Sequence, residues 1–269
     1  MKKENLEKIQ SKLDWTTRKI WFFILFILIS LTPPITKEGY SIKETGVVIF
    51  HILRSAFIKD LSPVYPVFKI IPTILIIALI LFKNRVRRIF NLYAGVSYFL
   101  FSVVQGVGIT HKYGFGIVTG NVIGMLIVSM SWFWEVLIDK GDLTPPKISP
   151  LKYWVAPLAF LAFWYPVNPE TLKPDFNPVY LFVNSTGLAF CTMTPIYIGI
   201  LSIYYPKVNL ITLRITSLMG VIIGFWNILT NFVINPYLLW WNGILHLPLV
   251  FISIYGLVLS LKKIEVTSF

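Results

Sequence analysis

Asn242 and His246 stand one helical turn apart in "YLLWWNGILHLPLV" (237–250), a stretch otherwise fit for hydrocarbon. An unpaired polar group away from water is costly, so both side chains must find partners inside the protein or line a wet space. Asn227, Asn231 and Asn235 recur every four residues in the preceding apolar stretch, which keeps them near one helix face. Asn235-Pro236 leaves almost no loop between the two stretches and predicts a tight antiparallel hairpin.

Two chemistries fit this pattern. The amides can hydrogen-bond across the hairpin as interhelical glue, at about 0.6–2 kcal/mol per pair. Alternatively they line a hydrated pocket in which His246 is the proton-sensitive group, with Pro248 freeing the carbonyl of Ile244 beside it. Gln105, Asn121 and "NSTGLAFCTMTP" (184–195) are placed to complete such a pocket. In the last of these, Asn184, Ser185, Thr186, Thr192 and Thr194 precede Pro195 in a helix expected to bend.

Helices that cross a bilayer must position these residues. Of 269 residues 56% are apolar and only 13% are charged, which excludes an ordinary soluble domain. Eight segments are apolar enough to serve as spans, at about 20–36, 62–82, 89–110, 113–138, 153–167, 179–205, 215–234 and 237–261. The fifth is short, whereas the sixth and eighth are long enough to tilt. The expected fold class is therefore an all-α transmembrane bundle of about eight spans: one membrane domain over 20–261 between an N-terminal segment (1–19) and a tail (262–269).

Of the 24 Lys and Arg residues, 17 fall before Trp21, in 83–88, in 140–152, in 207–214 or at Lys262 and Lys263, all on one face of that topology. Cytoplasmic loops carry such an excess, so both termini are expected in the cytoplasm of a prokaryotic cell. The net charge of +12 then reflects topology and attraction to membrane lipids, and no basic-aromatic pattern points to nucleic acid. The first span lacks a cleavage site and is expected to stay as an anchor.

The stretch 46–59, within "GVVIFHILRSAFIKD" (46–60), places His51, Arg54, Ser55 and Lys59 on one wet face, as an interfacial or re-entrant amphipathic helix would. Glycines every four residues (Gly116, Gly120, Gly124; Gly220, Gly224) offer flat faces for internal helix contacts or for a homo-oligomer. Glu135 and Lys69, near the ends of their spans, are expected to snorkel. Cys191 is the only cysteine, His51, His111 and His246 lie on separate elements, and no hydrolase, metalloprotease or phosphate-loop motif occurs, so no cofactor or metal is expected.

The leading functional expectation is a permease for a small solute or lipophilic molecule, its cavity lined by Asn227, Asn231, Asn242, His246, Gln105 and Asn121. The rivals are a membrane enzyme acting on lipid or isoprenoid at the outer face through His51, Arg54 and His111, and a non-catalytic subunit of a membrane complex.

Overall fold

The computed structural model of the protein describes residues 3–144 and 150–262. Met1, Lys2, Lys147 and the 263–269 part of the expected tail lie outside the described residues. A polar helix α1 (Lys3–Thr17) precedes a short apolar α2 (Ile20–Ser30), and after the strand β1 (Ile35–Thr36) comes the amphipathic α3 (Thr45–Arg54). A 3-10 lead-in, Phe57–Val64, continues into α4 (Tyr65–Phe82), followed by α5 (Asn84–Gly106), the hairpin β2 (Val107–Thr110) and β3 (Gly114–Ile117), and α6 (Thr119–Ile138). Next are the short α7 (Val155–Trp164), α8 (Tyr180–Val183) and α9 (Phe190–Ile203), then α10 (Leu210–Ile228) and α11 (Pro236–Leu261).

The all-α bundle expected from composition is the fold found, and its apolar helices are those of a multi-pass membrane protein. Five helical stretches are long and apolar enough to cross a bilayer: Phe57–Phe82, Asn84–Gly106, Thr119–Ile138, Leu210–Ile234 and Pro236–Leu261. Tyr180–Leu188 and Phe190–Ile203 make a sixth if they are one span, although they meet at 90°. The first and fifth expected segments fold as shorter apolar helices, Ile20–Ser30 and Leu151–Trp164.

The segment between α5 and α6 departs from the expected helical ends. There "VGITHKYGFGIVTG" forms strands, with β3 central between β1 and β2, because β-branched residues alternate with glycines. Gly108 and Gly116 let α3 lie directly on the sheet: a Cβ at Gly108 would stand 2.5 Å from the Ser55 carbonyl oxygen, and one at Gly116 would stand 2.7 Å from Ile52. Gly116 thus leaves the expected helical glycine stripe. The others pack within the chain, Gly120 on Ile29 and Ser30, Gly124 on Met219, Gly220 on Ser253 and Gly224 on Val250. As expected, α3 is amphipathic. Val48 and Ile52 are buried beneath it, and His51 and Arg54 are exposed.

The basic segments meet at one end of the bundle, hereafter the basic end, and the sheet marks the other. Arg87 pairs with Asp139 at 2.6 Å, and Asn84 donates to Asp142 at 2.6 Å. Arg18 donates to the Leu261 carbonyl at 3.2 Å, which brings the two terminal segments to this same end. Glu135 does not snorkel. The chain turns back over the end of α6 through a left-handed Asp139, and the buried carboxylate accepts from the Gly141 N–H and from the Asn209 amide, both at 2.7 Å.

Arg214 on α10 holds this end together. Its guanidinium is fully buried and donates to the Asp14 carboxylate at 3.0 Å, to the Ser260 carbonyl at 2.7 Å and to the Thr17 hydroxyl. Burial pushes the Asp14 carboxyl up, but bonding and charge from Arg18 and Arg214 outweigh it and hold the group below its ordinary range. A depressed carboxyl contributes stability above its unfolded value of about 3.9 that is lost as pH falls through the folded one. Asp14→Ala should cost about 3 kcal/mol, because it strands a buried cation, and should free α1. Thermal unfolding and limited proteolysis in detergent check this. In the wild type, docking of α1 should hold from neutrality down to about pH 5 and weaken only below about pH 4.

Candidate functional site

The site begins with a helix that is too short. α7 starts at the basic end, where Lys152 on its lead-in turn donates to the Tyr205 carbonyl at 2.9 Å. With its 3-10 lead-in, Pro150–Trp154, the helical stretch rises about 25 Å, short of a hydrocarbon core of about 30 Å. The last carbonyls of any helix lack partners within it. Here side chains from other elements supply the donors. The Phe163 carbonyl accepts from the Lys69 ammonium and from the Thr186 hydroxyl, the latter at 2.8 Å. Asn184 donates to the Trp164 carbonyl at 2.9 Å, and the Trp241 indole donates to the Pro166 carbonyl at 2.7 Å. Between them Tyr165 takes the left-handed conformation, with φ of 53°, and its hydroxyl donates to Asn242 Oδ1.

Asn242 connects this joint to the last hairpin. Its amide donates to Asn231 Oδ1 at 2.8 Å, and the Asn231 amide donates to the Asn227 carbonyl at 2.7 Å. The Asn227 amide reaches the Ile223 carbonyl at 2.9 Å and Cys191 Sγ at 3.6 Å. His246 Nδ1 meets the Asn242 carbonyl at 2.7 Å; since a carbonyl only accepts, Nδ1 carries the proton, and in a neutral ring Nε2 remains an acceptor. The Tyr165 and His246 rings meet edge to face at 6.0 Å. Around Asn231 the end of α10 widens into a π-helical turn, Leu229–Ile234, a deviation found often at functional sites.

Four of the six expected site residues, Asn227, Asn231, Asn242 and His246, therefore lie together, and each bonds to another member of the set or to its immediate neighbours. The other two stand apart from this set. Gln105 Oε1 accepts from the Phe190 N–H at 2.7 Å and so caps α9 at the 90° break. Asn121 is half-buried in the first turn of α6, beside the Gly120 that packs on α2. Asn235 is exposed at the turn of the hairpin.

Lys69 overturns the snorkelling expectation. Only 1% of it is exposed, although it belongs to Phe57–Phe82, the least buried of the five long apolar stretches. Its ammonium lies 3.9 Å from the centre of the Phe163 ring, and among the described residues no carboxylate pairs with it. Beside it a groove of about 190 Å³ is lined by Lys69, Ile70, Thr73, Ile74, Leu181 and Phe182. The available signals were a lone Lys among some 15 apolar neighbours and a fifth span that stops short in "AFWYP".

The outer-face triad is not assembled into a site: His51, Arg54 and His111 are all exposed, on α3 and on the turn between β2 and β3. Among the described residues no three His, Cys, Asp or Glu side chains form a group that could hold a metal ion. No protein-family model matches the chain, and no curated protein or solved structure matches it.

Asn242→Ala removes the acceptor of Tyr165 and the donor to Asn231, so it should cost about 1–3 kcal/mol in thermal unfolding. Combining it with Asn231→Ala should cost less than the two single changes added, since both break one bonded chain. Strict additivity would mean that the amides act independently.

Proposed function

We propose that the protein is a permease for a lipophilic molecule, which it takes sideways from the bilayer through the groove between α4 and α8. The observation that carries this reading is the groove itself, an indentation of about 190 Å³ on an apolar, largely exposed helix with the buried Lys69 among its lining residues. Ionisable groups buried in membrane spans commonly mark substrate pathways. A helix broken beside the groove, at 188–190, is a second feature of substrate-binding regions in transporters.

In this reading the ligand's body lies against Ile70, Ile74 and Phe182 and its polar end approaches Lys69. Movement of the α7 end is the step that follows, because Phe163 and Tyr165 belong to one short segment. Displacing the Lys69–Phe163 contact would pull on the Tyr165–Asn242 bond, and the Asn231–Asn242–His246 chain would then present its polar groups to the passing molecule. The basic end faces the cytoplasm and the groove opens in the outer half of a cell membrane, in keeping with the bias of Lys and Arg.

The test uses proteoliposomes holding alkyl chains labelled with nitrobenzoxadiazole, whose outer-leaflet fraction external dithionite bleaches. Wild-type protein should expose the inner fraction as well. Thr73→Trp, which fills the groove, should slow that exposure by about tenfold or more, equivalent to at least 1.4 kcal/mol on the passage barrier. An inner fraction that stays protected from dithionite in the presence of wild-type protein would count against a permease.

A further inference from the structure

We infer that the molecule held in the groove carries a single negative charge on a hydrocarbon chain, with a long-chain carboxylate as the form that fits. The inference rests on reading the groove as a ligand site, and it goes further by assigning the chemistry of the ligand's head.

Polarity in the groove is one-sided. Of the six lining residues only Lys69 and Thr73 carry polar side chains. Thr73 spends its hydroxyl hydrogen on the Lys69 carbonyl at 2.8 Å, so its oxygen can only accept further bonds. Lys69 has three N–H donors and no acceptor; one donor goes to the Phe163 carbonyl, and the Phe163 ring face covers another side of the ammonium. A donor-rich head therefore finds nothing to bond except the Thr73 oxygen, whereas an acceptor-rich head meets an ammonium with capacity to spare.

Charge sharpens the choice. The ammonium sits at the C-terminal end of α7, where the helix dipole amounts to roughly half a negative charge. That offsets part of the buried cation and leaves a positive remainder. One anionic group brings the local sum close to zero, but a second would stand uncompensated in an apolar wall, which disfavours dianionic heads. Size agrees: a protein cavity of about 150 Å³ accepts benzene, so about 190 Å³ admits a carboxylate and its first few methylenes while the tail remains among lipid. The head of an anionic membrane lipid offers the same single charge in a bulkier form.

The experiment measures binding of tritiated palmitate to the purified full-length protein in neutral detergent by scintillation proximity, with unlabelled palmitate, methyl palmitate and phosphatidylglycerol as competitors. Palmitate should compete about tenfold better than its methyl ester, the scale of one charge-assisted hydrogen bond. Lys69→Met should erase that preference and Lys69→Arg should keep it, while Thr73→Trp should remove specific binding altogether. If Lys69→Met does not fold, the Lys69→Arg result and the wild-type comparison of acid with ester carry the test. Equal competition by acid and ester in the wild type overturns the inference and leaves the groove as a site for neutral lipophiles. Binding that Thr73→Trp does not reduce shows that the groove is no ligand site, and the permease reading falls with it. Phosphatidylglycerol competing better than palmitate supports the single negative charge and assigns it to a bilayer lipid.

Discussion

The last carbonyls of a helix must find donors outside it, and in the sheet-ward half of this protein the end of α7 draws those donors from three other elements. In hydrocarbon an unpaired backbone carbonyl costs several kcal/mol, far more than a typical net hydrogen bond contributes. The end of α7 presents three such carbonyls within four residues, and it draws donors from α4, from the 184–186 turn and from α11. These elements also pack against one another, α11 and the Ser185–Leu188 turn on α7 and α4 on that same turn. Each donor also needs a partner: a buried ammonium, an amide and an indole all face the same solvent problem.

Meeting so many requirements on one short segment makes that segment a joint. Tyr165 adopts a backbone conformation that costs an ordinary residue about 1–2 kcal/mol, and it persists because its neighbours on both sides are bonded. The helices that adjoin it are interrupted at nearby positions, α9 by the 90° break that Gln105 caps and α10 by the π-helical turn at Asn231. Continuous helices resist small displacements along their whole length, whereas interrupted ones have places to bend. The hydrogen bonds from Tyr165 to His246 thus lie among interrupted helices.

The bundle itself was legible from composition, and amide bonding across the last hairpin was legible from spacing, because Asn235-Pro236 leaves little freedom in how the helices align; that Asn231 is the partner of Asn242 was not. The parts that were not legible depend on tertiary partners. Lys69 reads as a snorkelling residue as long as α4 is considered alone; its burial follows from where α7 ends. Glu135 likewise reads as interfacial until the turn at Asp139 folds Gly141 and Asn209 over it. The hairpin at 107–117 hid in two apolar runs that a helical window absorbs, although its alternating glycines carry a period of two. Gln105 was expected in a pocket because a polar residue inside a span suggests one, but a broken helix nearby created an orphan N–H that took it first.

Two buried cations show how the same chemistry can be compensated in different ways. Arg214 and Lys69 are both almost completely enclosed, and both touch backbone carbonyls. Arg214 also has the Asp14 carboxylate at 3.0 Å, supplied by a helix from the opposite end of the chain, so its charge is answered within the protein. Both of its terminal nitrogens donate to Asp14 Oδ1, while Arg18 donates to Oδ2, and the result is a clamp. Lys69 has a carbonyl, an aromatic face and the fractional charge of a helix end, which together compensate an ammonium only in part. A compact ammonium on a flexible stem can also exchange partners more readily than a guanidinium bonded at several points can. Lys69 lines the groove between α4 and α8. One cation therefore closes the fold at the basic end with a carboxylate, and the other is held by a backbone carbonyl and a ring face where α4 meets the end of α7.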